Sequence, residues 1–122
     1  MLNYLAVAIG GACGMLIRFF VTNQVDPRLG AKWPIATHLV NLIGCFLIGW
    51  FAVHFEKTDG PKWLQVALIG GICGGMTTFS AFIFELLDFL QTGLNVRLIM
   101  YLTSSVLLGL IAVYLGMRIA SA

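Results

Sequence analysis

Gly70-Gly71-Ile72-Cys73-Gly74-Gly75-Met76-Thr77-Thr78-Phe79-Ser80 lies inside a hydrophobic run long enough to cross a bilayer, yet its residue types work against a continuous helix. The four glycines lower helical order, and three hydroxyl side chains follow at once. Lipid offers no partners to a free peptide group. Non-helical backbone at membrane depth therefore survives only when buried in protein or lining a cavity. A break is expected here, and with it a binding or conduction site. The stretch points to transport.

The rest of the chain supplies the membrane context. Of 122 residues, 60% are hydrophobic and only 10% charged, whereas about a quarter of a soluble domain is charged. A soluble fold of this size could not cover so much apolar surface. Four hydrophobic blocks, 2–21, 35–55, 64–90 and 98–117, each come close to the roughly 20 residues that a spanning helix needs. Connectors rich in turn residues and charges separate them: Asp26-Pro27-Arg28-Leu29-Gly30, Glu56 through Lys62, and Gln91-Thr92-Gly93-Leu94-Asn95. The expectation is one all-α membrane domain over 1–122, four transmembrane helices with the third broken mid-membrane. Ala6-Val7-Ala8 looks like a cleavage site, but no basic segment or apolar core precedes it, so the N-terminus is expected to be retained. Trp33, Trp50, Trp63, Tyr4 and Tyr114 fall toward block ends, as interfacial aromatics do.

Charge barely orients the bundle. Lys57, Lys62 and Arg118 lie on one face; Arg28, Lys32, Arg97 and Arg18 lie on the other. A four-helix chain without bias can insert both ways, and two opposed copies can then pair. Four spans enclose a selective pathway poorly, so an oligomer is expected. Gly10 and Gly14, Gly70 and Gly74, and Gly71 and Gly75 have the four-residue spacing of close helix contacts.

Polar groups at membrane depth are the functional candidates. Arg18, near the end of helix 1, either snorkels to headgroups or attracts anions. Asn41, one turn after Thr37, is either interhelical glue or a donor to a permeating anion. Phe79, Phe82 and Phe89 share roughly one face, with Glu85 near that stripe and expected to have a hydrogen-bonding partner; Asp88 is expected to be solvated. Tyr101 and Ser105, with Ser104, form a hydroxyl face on helix 4, for which helix–helix hydrogen bonding is the plain explanation. His38 and His54 lack a companion carboxylate for a metal, and the three cysteines, Cys13, Cys45 and Cys73, sit on separate helices as packing residues. Gly70-x4-Gly75-Met76-Thr77 imitates a phosphate loop, but Met76 stands where the lysine belongs. No nucleophile–base–acid set or carboxylate pair is evident, so catalysis is rejected.

The chain resembles the Fluc (CrcB-type) fluoride channels along its whole length. Carrying that resemblance are Gly10-Gly11-x-x-Gly14-x-x-x-Arg18, Thr37-x-x-x-Asn41-x-x-Gly44 and, most specifically, Gly74-Gly75-Met76-Thr77-Thr78-Phe79-Ser80-Ala81-Phe82. The resemblance implies an antiparallel homodimer of dual-topology subunits in a prokaryotic inner (plasma) membrane, exporting fluoride passively from the cytoplasm through two narrow pathways. It implies a structural sodium ion on the dimer axis, held by the backbone carbonyls of Gly74 and Thr77. It assigns the pathway aromatics to Phe79 and Phe82, the amide to Asn41 and the helix 4 hydroxyls to Tyr101 and Ser105, with Thr78, Ser80 and Arg18 as further pathway candidates; no nucleic-acid partner is expected. Family members commonly carry a hydroxyl where Ala81 stands and a second helix 4 serine where Gly109 stands, so fewer donors remain here. The physics agrees: a helix end presents carbonyls to a cation, a helix start presents amides to an anion, and neutral donors let the anion leave again. Two rivals are a small multidrug-type proton-coupled exporter, which needs an acid in helix 1, and a non-conducting assembly subunit.

Overall fold

A computed structural model describes residues 1–29 and 33–122 of the chain, without the side chains of Arg28 and Leu29. Lys32 and Gly30 of the first connector lie outside the described residues, and so does the side chain of Arg28 that entered the charge balance. Among the described residues every regular element is helical. Four stretches are long and apolar enough to cross a membrane: Leu2–Pro27, Ile35–Thr58, Lys62–Gln91 and Asn95–Ser121.

Helix α1 runs over Leu2–Leu29, beyond the expected end near Val21, and takes in Asp26 and Pro27. The expected connector is thus partly helix, and helix 1 does contain an acid. Pro27 removes the donor for the carbonyl four residues back, but that residue, Asn23, is exposed, and too little helix follows for a kink to matter. At 1.5 Å per residue α1 is about 42 Å long, more than the roughly 30 Å of a hydrocarbon core. Helix α2, Ile35–Thr58, stops at Asp59, which adopts a left-handed conformation (φ 49°) that aspartate tolerates better than most side chains.

The third span is composite. An α-turn, Lys62–Gln65, leads into a wider π-helical segment, Val66–Cys73, and a last turn, Gly74–Met76. Residues 62–76 together form α3. The Gly74 N–H reaches back five residues to the Ile69 carbonyl, the mark of the wider helix. Thr77 and Thr78 are then extended (φ −79°, ψ 154° and φ −148°, ψ 114°), and α4 restarts over Phe79–Gln91. Helix α5, Asn95–Ser121, follows a turn in which Gly93 takes φ 72°.

The helix is interrupted within the third span, but the glycines are not where it happens. Gly70, Gly71, Gly74 and Gly75 all remain helical, and the chain opens only at the two threonines. Gly71 and Gly75 serve close contact. A Cβ on Gly71 would run into the Gly10 backbone, one on Gly75 into the Gly11 backbone, and one on Gly14 into the Ile72 carbonyl and Met76 amide. Helix α1 thus lies flush against α3. On the other side Gly49 of α2 meets the Val113 backbone and Gly116 of α5 meets the Phe46 carbonyl. The spacings Gly10/Gly14 and Gly71/Gly75 are thus used within one chain, whereas Gly70 and Gly74 meet no backbone of a neighbouring helix. The outer surface is apolar: Leu16, Phe19, Phe84 and Leu110 are each about two-thirds exposed or more.

Candidate functional site

The break is stabilised by one side chain. Asn41 of α2 accepts a hydrogen bond from the Thr78 N–H through Oδ1 (2.8 Å) and donates from Nδ2 to the Thr78 carbonyl (3.2 Å). The extended residue thus has both backbone groups paired without a sheet. Thr78 also caps α4, its Oγ1 accepting from the Ala81 N–H (3.2 Å) and lying 3.3 Å from Ser80 Oγ. Asn41 is therefore interhelical glue, and the second proton of its amide is still available as a donor.

These two bonds have a consequence on the α3 side. In a continuous helix the Thr78 N–H would serve the Gly74 carbonyl and the Ala81 N–H would serve the Thr77 carbonyl. Here Asn41 and Thr78 Oγ1 take those donors, so both carbonyls are released at the end of α3, where the helix dipole is negative. Two freed carbonyls fit a hard cation held by backbone oxygen. The donor that approaches Thr77 is Arg18, whose Nη1 lies 3.5 Å from its carbonyl, at the outer limit of a hydrogen bond. Arg18 thus turns inward to the break rather than out to headgroups. Among the described residues no cluster of three or more His, Cys, Asp or Glu side chains could hold a metal.

A cavity of about 400 Å³ opens beside the break, lined by Asn41, Thr78, Phe79, Phe82 and Ser105 together with Gly74 and Thr77. Five of the eight expected pathway residues, and both expected carbonyl donors, meet there. Gly44 admits Thr77: a Cβ at Gly44 would overlap the threonine methyl. Ser80 stands behind Thr78 and is exposed. Phe79 is 75% exposed while Phe82 and Phe89 are buried, though Phe79 and Phe82 line the same cavity. The two pathway rings sit 6.2 Å apart and tilted by 48°. Arg18 belongs to a different cavity, about 340 Å³, with Thr22, Thr37 and Ala81; Thr78 borders both.

Tyr101 is fully buried and away from the first cavity. Its hydroxyl donates to Glu85 Oε2 (2.7 Å), and Thr37 Oγ1 donates to Glu85 Oε1 (2.5 Å). Glu85 thus has the hydrogen-bonding partners expected of it. The rings of Phe82, Phe89 and Trp33 close around Tyr101 at centroid distances of 5.1, 6.1 and 5.8 Å. Ser105 lies 3.0 Å from Nδ1 of His38, for which the residue pattern suggested no role. The helix–helix hydrogen bonding considered for the hydroxyl face is therefore present at both residues.

Sequence reasoning missed the apolar half of the cavity wall, Ile48 and Ile69 with Cys45 and Cys73. No local signal marks these residues, since each is ordinary membrane-helix composition. Thr37 as a partner of Glu85 was also unreadable, because the two lie on helices joined only through the fold.

The comparisons with known proteins agree with one another. The family described as CrcB-like protein, Camphor Resistance (CrcB), matches residues 5–117. A fluoride-specific ion channel, FluC, of Azotobacter vinelandii is 42% identical over 93% of this chain and 92% of its own length. The proteins of the same name from Acidobacterium capsulatum and Flavobacterium psychrophilum are 39% and 38% identical, over 98% and 93% of this chain and 97% and 93% of their own lengths. With four membrane-capable helices and a family match along almost its whole length, this multi-pass membrane protein belongs to the CrcB-like family.

Proposed function

We propose that the chain is a fluoride-selective channel that lets the anion leave the cytoplasm passively, working as an antiparallel dual-topology homodimer in a prokaryotic inner membrane. The observation that carries this reading is the cavity at the Thr77–Thr78 break, where neutral donors meet the start of α4. The first N–H groups of a helix have no partner within it and favour an anion. The amide of Asn41, the hydroxyls of Thr78 and Ser105 and the positive edges of the Phe79 and Phe82 rings add short contacts without a fixed charge. A small, strongly hydrated anion can exchange water for such donors and still depart. The relatives named as fluoride-specific channels supply the ion's identity.

Sodium would be held by the carbonyls of Gly74 and Thr77, which α4 and Asn41 leave without helical donors. It would place a positive charge at the negative end of α3. Two carbonyls from one chain are few for a hard cation. A second copy related by a two-fold axis would double them, and the apolar exterior is the surface such a copy or lipid would cover. The near balance of basic residues between the two ends permits opposed insertion.

The exporter reading is weaker. The acid in α1, Asp26, lies one turn from the helix end rather than at its centre. Efflux from reconstituted vesicles tests the proposal: fluoride should leave at a rate set by the countercharge supplied, chloride should stay, and no proton gradient should be required. Fluoride retention would reject it.

A further inference from the structure

On the reading just given, we infer that His38 is a proton-dependent positioning residue that sets whether the Ser105 hydroxyl offers the cavity a donor or an acceptor. The observation is geometric. Ser105 lines the cavity at the break, and His38 does not; the imidazole stands behind the serine with Nδ1 3.0 Å from its Oγ. A hydroxyl has one proton. Which way it points depends on what the histidine nitrogen does.

When the ring is neutral with its proton on Nε2, Nδ1 accepts, and Ser105 must aim its only O–H at His38. The cavity then sees the oxygen lone pairs, which repel an anion. When the ring is protonated, Nδ1–H donates to Oγ and the serine proton is released to turn toward the cavity. The cavity gains a donor, and a positive charge stands one hydrogen bond behind it. The same shared contact thus has two states with opposite preference for an anion. Arriving fluoride and an arriving proton favour each other.

The surroundings allow this. The His38 ring lies 5.7 Å from that of Tyr101, the titratable group facing it from α5, and Tyr101 is bonded to Glu85 of α4. From α1, Asp26 acts electrostatically on both Tyr101 and Glu85. His54, at the other end of α2, stacks on Trp50 at 4.7 Å and has no contact with the cavity, so it is an internal reference.

Two measurements on the full chain test the inference. In vesicles, fluoride efflux above that of protein-free vesicles at the same pH should rise severalfold as the pH is lowered through the range in which His38 takes up a proton. His38→Gln, whose amide can donate to Ser105 in either condition, should conduct with a flat profile. Wild-type flux that ignores pH, or a His38→Gln channel that keeps the wild-type profile, overturns the inference and leaves the channel reading standing. Absence of fluoride flux at every pH removes both. Independently of flux, NMR titration of the two histidines should show fluoride raising the midpoint of His38 while His54 stays fixed. A His38 midpoint indifferent to fluoride overturns the inference as well.

Discussion

Asn41 closes both backbone hydrogen bonds of Thr78, one to its N–H at 2.8 Å and one to its carbonyl at 3.2 Å, from a helix 37 residues away in sequence. A single side chain therefore substitutes for the strand partner that an extended residue would otherwise need. Asn41→Ala strands two backbone groups, each costing about 1–3 kcal/mol when left unpaired in a dry site. The expected result is a clearly lower melting temperature in detergent together with fluoride flux at least tenfold down. A variant that melts and conducts like the wild type would detach Asn41 from the break.

Thr78 stands at the centre of the site, bonded to Asn41 and bordering both cavities. Thr78→Val removes the cap on the Ala81 N–H, worth about 1 kcal/mol, and one hydroxyl of the cavity wall. Thr78→Ser keeps both. Melting curves and flux should therefore rank wild type and serine together, with valine below.

The glycines of the third span separate into two kinds. Gly75→Ala would force a methyl into the Gly11 backbone and push α1 from α3, whereas a Cβ on Gly74 finds its nearest atom, the Ile69 carbonyl, at 3.9 Å. Gly75→Ala is expected to lower the yield of monodisperse protein sharply, while Gly74→Ala folds. Equal yields for the two would contradict the packing described.

Glu85 joins three helices by accepting from Thr37 and Tyr101. Tyr101→Phe removes one donor but keeps the aromatic cluster, so a loss of about 1 kcal/mol is expected. Glu85→Ala leaves both hydroxyls unpaired and should cost more than Tyr101→Phe. Thermal denaturation of the two variants gives the order directly.

If sodium is a resident ligand of the Gly74 and Thr77 carbonyls, it stabilises the folded protein by mass action, about 2.7 kcal/mol at a hundredfold excess over its dissociation constant. The melting temperature should then rise with sodium and fall when choline replaces it. Indifference to the exchange would leave the Thr77 carbonyl to Arg18.

Much of this was legible in the residues. Block lengths and composition announced four spans, and the Gly70–Ser80 stretch announced an irregular third one. The reason assigned to the irregularity was wrong in detail. Glycine tolerates a break but does not compel one, and here Gly71 and Gly75 stay helical where α1 packs against them. The chain opens instead at Thr77–Thr78, where Asn41 supplies the competing hydrogen bonds. Asp26 and Pro27 were read as connector because turn residues and charges cluster there, yet near a helix end proline's missing N–H costs little. The convergence of Asn41, Thr78, Phe82 and Ser105 could be expected from the resemblance. The spending of Tyr101 on Glu85 could not, since burial depends on how α4 and α5 rotate against each other.

The most direct test of anion choice at the break is the reversal potential of the purified protein in a planar bilayer with concentrated fluoride on one side and dilute fluoride made up with chloride on the other. Selective conduction predicts a potential at the fluoride equilibrium value, unchanged when a proton gradient is imposed. A potential near zero, or one that follows the proton gradient, would contradict the account.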